Sequence, residues 1–362
     1  MYDYDVILSF VTAFALTYFA IPSIIAVAKK KKLLVKPNGR SSHKISTPSL
    51  GGIAIFAGAV FSIVMWTSFG ENQYVNNLQY ILCSFIIIFL IGVKDDIDPM
   101  PPTKKLVGEV LAGAILVFKA DIRLTGLHGV FGFGEPLPYW VSVLLTIFIV
   151  IVIINAFNLI DGINGLSGSI ATLISGVLGT WFLFVKQYDL AIVAFSLTGA
   201  VVAFLKYNFS PAKIFMGDTG SLLIGLICSI LTISFIEVAS NMEAGTPFKI
   251  NATPAVAVAF LILPLFDTLR VFLTRALRGK SPLSPDRTHI HHLLIDSGLN
   301  HTQATLILVI VNAFFIALAL SLQHSYTKQP FLLILLIIGI ASMLVGGFYF
   351  SVYRRKIKRT TV

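Results

Sequence analysis

Eleven stretches of this sequence are apolar for long enough to cross a lipid bilayer, and that feature excludes most folds. They cover 5–27, 49–69, 78–93, 104–119, 139–156, 166–185, 190–206, 219–238, 252–274, 304–322 and 331–350. A spanning helix needs about 20 apolar residues. The third and fourth runs are short, so they borrow flanking residues or sit where the bilayer is thin. Barrel strands alternate apolar and polar residues, and these runs do not. Charged residues make up only 12% of the chain, about half the share usual in soluble proteins. The expected fold is an all-α polytopic membrane protein, one domain over 1–362. Asp3 and Asp5 precede the first run and Lys29 to Lys32 follow it, the pattern of an anchor rather than a cleaved signal. Cys83 and Cys228 lie inside apolar runs and suggest neither a disulfide nor a thiolate metal site.

Basic residues orient the bundle. Alternate loops and the tail after 350 hold 22 of the 27 Lys and Arg residues. The positive-inside rule places those loops in the cytoplasm, the N-terminus outside and the C-terminus inside. The net charge of +10 then follows from topology and anionic headgroups, without a nucleic-acid partner. Among the outer loops, "DIRLTGLHGVFGFGEPLP" from Asp121 to Pro138 mixes glycine with alternating apolar residues, which predicts a short β-hairpin on the outer face.

The chemistry gathers on the inner loops, 29–48, 94–105, 155–165, 206–218 and 275–303. "KPNGRSSHKISTPSLGG" offers the donors Arg40, His43 and Lys44 before Gly51 and Gly52 open the second run; a positive-inside loop explains it equally well. "VKDDIDP" places Asp95, Asp96 and Asp98 before Lys104 and Lys105. Adjacent carboxylates repel unless a cation shares them. Oxygen ligands suit Mg²⁺, with Mn²⁺ as an alternative, and the lysines suit phosphate; an aspartate pair capping a helix is the plainer reading.

"NAFNLIDGINGLSG" sets Asn155 and Asn158 on one helix face, with Asp161 next. Polar residues at a membrane boundary default to function, although interhelical hydrogen bonding also uses them. In "NFSPAKIFMGDTGSLLIG", Asp218 opens the eighth run as an N-cap, a metal ligand, or both. "SPLSPDRTHIHHLL" carries Asp286, Arg287, His289, His291 and His292. No cysteine lies near and the spacing is not that of a closed zinc site; donors to phosphate oxygen fit better.

Together these five motifs resemble the polyprenyl-phosphate N-acetylhexosamine-1-phosphate transferases, the WecA- and TagO-like bacterial enzymes related to phospho-MurNAc-pentapeptide translocases. "HIHHLL" after "SPLSPDR" resembles the branch using UDP-GlcNAc. The resemblance implies transfer of a sugar 1-phosphate from a UDP-N-acetylhexosamine to undecaprenyl phosphate at the inner surface of a bacterial cytoplasmic membrane. It implies catalytic roles for Asp95, Asp96, Arg287, His291 and His292. Asp218 becomes a Mg²⁺ ligand, with Asp95 and Asp96 as further ones. Substrate contacts fall to Arg40, His43, Lys105, Asn158, Asp161, Asn164, Asn208, Phe215 and His289. Asn164 departs from relatives with a second aspartate there. Dimers in the wider superfamily leave a homodimer open. Two rivals remain at this point. A Mg²⁺-dependent membrane prenyltransferase would need a second aspartate-rich motif. A transporter would place charges at the bilayer midplane, within inverted repeats.

Overall fold

The computed structural model describes residues 3–34, 46–67, 77–279 and 288–360, with side chains described to residue 350. Among these, every apolar run is helical. The chain runs α1 (Asp3–Lys30), α2 (Gly51–Trp66), α3 (Leu78–Ile97), α4 (Pro102–Phe118), α5 (Tyr139–Ile160), α6 (Leu166–Phe184) and α7 (Tyr188–Asn208). It continues with α8 (Gly217–Asn241), α9 (Thr253–Phe260), α10 (Ile262–Leu277), α11 (Ile290–Asp296), α12 (His301–Leu322) and α13 (Pro330–Thr360). Local chemistry sets several ends. Asp3 and Asp5 in the first turn of α1, and Lys29 and Lys30 in its last, complement the helix dipole. Prolines open α4 and α13, where a missing N–H costs nothing. Asn300 and Gln303 form a reciprocal capping box on α12.

Two expectations need correction. By length and composition, seven described helices can span a membrane, or eight if α9 and α10 count as one span bent by 79°. Of the eleven runs, α2 is only 16 residues long, α3 ends in Lys94, Asp95 and Asp96, and α4 carries Lys104, Lys105 and Glu109. All three still pack within the bundle. The outer hairpin does not form strands. Segment 121–138 holds a single antiparallel bridge, Gly126 to Pro136, around a 3-10 turn at Val130–Gly132. Thr125 and His128 instead bind the carboxylate of Glu237 on α8, so side-chain anchoring replaces a strand ladder.

Helix α8 is the axis. It is the most buried of the candidate spans and packs against α2, α3, α5, α6, α7 and α9. Small residues let its first turn sit close to its neighbours. A Cβ on Gly52 of α2 would lie 2.1 Å from the Gly220 nitrogen, and one on Gly92 of α3 would lie 2.4 Å from the Thr219 Cα. Lipid tails are as apolar as leucine, so close backbone contact is a main source of helix association in a membrane. The first turn of α8 is thereby wedged between α2 and α3.

Candidate functional site

That wedge brings the motifs together. Segment 48–52 pairs with 215–216 along the backbone: Phe215 N to Pro48 O (2.7 Å), Gly51 N to Phe215 O (2.9 Å) and Gly52 N to Met216 O (2.8 Å). Gly217 follows at φ +73°, with Asp96 oxygens and Ser49 O 2.5 Å from where a Cβ would stand. Only glycine turns the chain into α8 here.

Asp95 and Asp96 lie beyond the apolar part of α3, which ends at Val93, and they do different things. Asp96 caps α8 from outside. Its Oδ1 accepts from Asp218 N (2.8 Å); its Oδ2 accepts from Thr219 N (3.0 Å) and Thr219 Oγ1 (2.5 Å). Burial pushes its carboxyl up to about 7, against those three hydrogen bonds. Asp95 accepts from Met100 N (2.6 Å) through Oδ1, and its Oδ2 meets Lys105 Nζ at 2.6 Å. Burial raises its carboxyl, but the lysine and the Met100 amide hold it below the usual range. The same Lys105 Nζ reaches Asp218 Oδ2 at 2.5 Å. Thus two carboxylates from α3 and α8 converge on one cation.

The turn after α5 faces this triad. Asp161 has its carboxyl pushed up to about 8, first by burial and then by the charges of Asp218 and Asp96. Asn158 donates to Ser221 Oγ on α8 (3.0 Å). Asn164 is held by its main chain, with His301 Nδ1 on its N–H (3.2 Å) and Thr305 Oγ1 on its carbonyl (2.9 Å). Its Oδ1 is buried with no hydrogen-bond partner. Asn208 spans Gly165 N (2.7 Å) and Ile214 O (2.9 Å), tying this turn to the segment before α8. Against the turn stands α11. A Cβ on Gly162 would lie 2.2 Å from His291 Nε2. His291 is buried among His289 (5.6 Å) and His292 (4.3 Å). Burial, then its histidine neighbours, push its imidazole down to about 3.

Known proteins similar to this chain show its family. The model of glycosyl transferase family 4 matches residues 78–236, from the start of α3 almost to the end of α8. The undecaprenyl-phosphate alpha-N-acetylglucosaminyl 1-phosphate transferase of Yersinia pestis is 30% identical over 325 residues, covering 88% of this chain and 85% of that protein. The chain belongs to glycosyl transferase family 4. The Escherichia coli K12 protein of the same name is 29% identical over 315 residues, 86% of this chain and 82% of its own. The decaprenyl-phosphate N-acetylglucosaminephosphotransferase of Mycobacterium tuberculosis is 29% identical over 360 residues, 92% and 87% respectively.

In this family 4 transferase, Asp95, Asp96, Lys105, Asn158, Asp161, Asn164, Asn208, Phe215, Asp218, His289, His291 and His292 all lie at one end of the bundle. Arg40, His43 and Arg287 lie outside the described residues. Sequence reasoning passed over Glu109, which accepts from Asn155 Nδ2 (2.5 Å), His301, and the pair Asp267 and Arg270 (2.7 Å). All but His301 sit within apolar runs, and a charge there is itself a signal.

Proposed function

We propose that this transferase moves N-acetylglucosamine 1-phosphate from UDP-N-acetylglucosamine to undecaprenyl phosphate, at the cytoplasmic surface of a bacterial membrane. The names of the relatives support a polyprenyl phosphate acceptor and this sugar phosphate. The observation that carries the assignment to residues is the shared cation of Asp95 and Asp218, set at a helix N-terminus beside Asp161. Asp96 already takes the Asp218 and Thr219 N–H groups, so the attraction for phosphate there comes from the Lys105 ammonium and the α8 dipole.

An oxygen of the lipid phosphate attacks the sugar-bearing phosphorus of the nucleotide sugar. The bond from that phosphorus to the bridging oxygen breaks, and UMP leaves with the oxygen. The second pKa of a phosphate monoester is about 6, so the nucleophile needs alignment more than deprotonation. Lys105 supplies a positive charge to the phosphates as they cross, and His291 and His292 donate hydrogen bonds to them. Asp96, with both oxygens occupied at α8, holds the platform in place. The donor set fits Mg²⁺ or Mn²⁺: two carboxylates already converge on a cation, and hard oxygen ligands plus substrate phosphates complete such sites. Asp218 and Asp95 would hold the metal, which when bound neutralises phosphoryl charge.

An apolar groove of about 220 Å³, lined by Leu263 and Phe266 of α10, Leu293 of α11, Val311 of α12 and Leu344 of α13, would take the isoprene units nearest the lipid phosphate. Because α11 forms one wall, the groove adjoins the histidine segment. The test is UMP release by purified protein given both substrates and Mg²⁺. Turnover that requires lipid phosphate and Mg²⁺, and falls at least tenfold in Asp218→Ala and Asp95→Asn, supports the assignment. Full turnover in those variants refutes it.

A further inference from the structure

The histidine segment enters the site through one buried carboxylate that the reaction scheme above does not use. Asp267, on the second turn of α10, is 1% exposed. Among the described residues three donors reach it from two elements. Arg270 Nη2 (2.7 Å) and Ile290 N (3.0 Å) both converge on Oδ1, while His289 Nδ1 faces Oδ2 (2.9 Å). Arg270 Nη2 also donates to Thr288 O at 2.5 Å, so the residues on both sides of His289 are tied to the same pair.

Two consequences follow from chemistry. Ile290 is the first residue of α11 and His289 its N-cap. The N-cap has no side-chain hydrogen bond of its own to the helix, so Asp267 caps α11 from outside. A carboxylate, meanwhile, can only accept. His289 must therefore carry a proton on Nδ1, which leaves Nε2 as the acceptor in the neutral form of the ring. The ring of His289 stacks on that of His291 at an interplanar angle of 14°, and His291 in turn presses on Gly162 beside Asp161. The tautomer and the position of the whole segment are thus set from one atom group on α10.

We propose that Asp267 is a positioning residue for the transfer reaction, locking the Nδ1–H form of His289 and the start of α11 so that the histidines meet the Asp161 turn in register. This rests on the transferase reading above.

Asp267→Asn separates the two roles of the group. Two donors require an oxygen, so the carboxamide keeps its oxygen toward Arg270 and Ile290. Its NH₂ then faces His289 Nδ1, which must accept, and the ring proton moves to Nε2. The variant keeps the shape and the α11 cap but inverts the tautomer. For the full chain in detergent, kcat for UMP release should fall on the order of a hundredfold or more, as for other buried Asp–His pairs. KM for the nucleotide sugar should stay within about threefold, since the change is in a ring's proton and not in the pocket's shape. In ¹⁵N-histidine-labelled protein, the resonance lost in His289→Asn should report Nδ1 protonation in the wild type and Nε2 protonation in Asp267→Asn. In a His289→Asn background, Asp267→Asn should add less than about a twofold further loss, because both act through one ring.

Unchanged kcat, an unchanged tautomer, or full multiplicative losses in the double variant would overturn the proposal. Should Asp267→Asn not fold, His289→Asn decides alone: wild-type kcat there overturns the proposal, and a kcat loss at constant KM supports it. A wild-type chain that releases no UMP sinks the transferase reading instead. Normal wild-type turnover beside an equally fast Asp267→Asn sinks only this inference.

Discussion

At the scale of single residues, the site depends on contacts with no slack. Gly162 is the sharpest case, because a methyl group there would stand 2.2 Å from His291 Nε2. The imidazole is packed between two other histidine rings and cannot yield without moving α11. Gly162→Ala should therefore lower kcat by roughly a hundredfold, the scale of a misplacement near 1 Å, while the thermal midpoint in detergent moves little. Equal activity would mean that α11 shifts freely. His291 carries a second prediction. A pKa lowered to about 3 leaves the ring neutral at every pH above about 4. Its ¹⁵N resonances should therefore stay constant from pH 5 to 9. Any acid limb in the rate near pH 6 must come from other groups, and a titration of His291 in that range would show its burial to be looser than described. The sequence made these residues visible as motifs, because polar side chains at the ends of apolar runs stand out. Their division of labour was not visible. Asp95 and Asp96 are neighbours in sequence, yet one faces the shared cation and the other caps α8, a distinction set by where the α8 amides lie.

At the scale of elements, the run 252–274 shows what periodicity conveys and what it hides. Its apolar length marks a span, but the structure breaks it at Leu261 into α9 and α10. The cause lies in the sequence. Pro264 lacks an N–H, and its ring opposes the carbonyl four residues back, that of Phe260. What no local pattern supplies is the direction of the bend. Asn312 of α12 provides it, donating from Nδ2 to Phe260 O (3.1 Å) and accepting Leu263 N on Oδ1 (3.2 Å). One buried amide thus satisfies both groups freed by the break, and α10 leaves at the angle that brings Asp267 to α11. Asn312→Leu has nearly the same volume and removes both bonds. It should cost about 2–4 kcal/mol, two buried backbone groups at roughly 1–3 kcal/mol each with partial relief. The readout is the thermal midpoint in detergent, together with a fall in kcat. A midpoint within a degree of wild type would show that the break holds itself open.

At the scale of the whole molecule, alternation of spans is what made convergence foreseeable. Motifs separated by two crossings return to the same face, so the five polar segments share one end when all eleven helical runs, the short or charged α2, α3 and α4 included, count as crossings. The contacts of α3 and α5 with α8, and of His291 on α11 with Gly162 after α5, agree. Absolute orientation is a separate matter, since it depends on the 22 basic residues of one set of loops against five of the other and not on packing. In the reading proposed above, that imbalance puts the Asp95 end in the cytoplasm, where a nucleotide sugar is made and a lipid phosphate headgroup can meet it. Single cysteines can read this out in a chain with Cys83 replaced; Cys228 is buried and can stay. Glu135→Cys, on the loop bound to Glu237, should react with a membrane-impermeant maleimide in intact spheroplasts. Asp98→Cys, exposed at the end of α3, should react only after permeabilisation. The opposite pattern would put the shared cation of Asp95 and Asp218 outside the cell, out of reach of any nucleotide sugar. The charge imbalance would then need another cause, and the function proposed here could not operate.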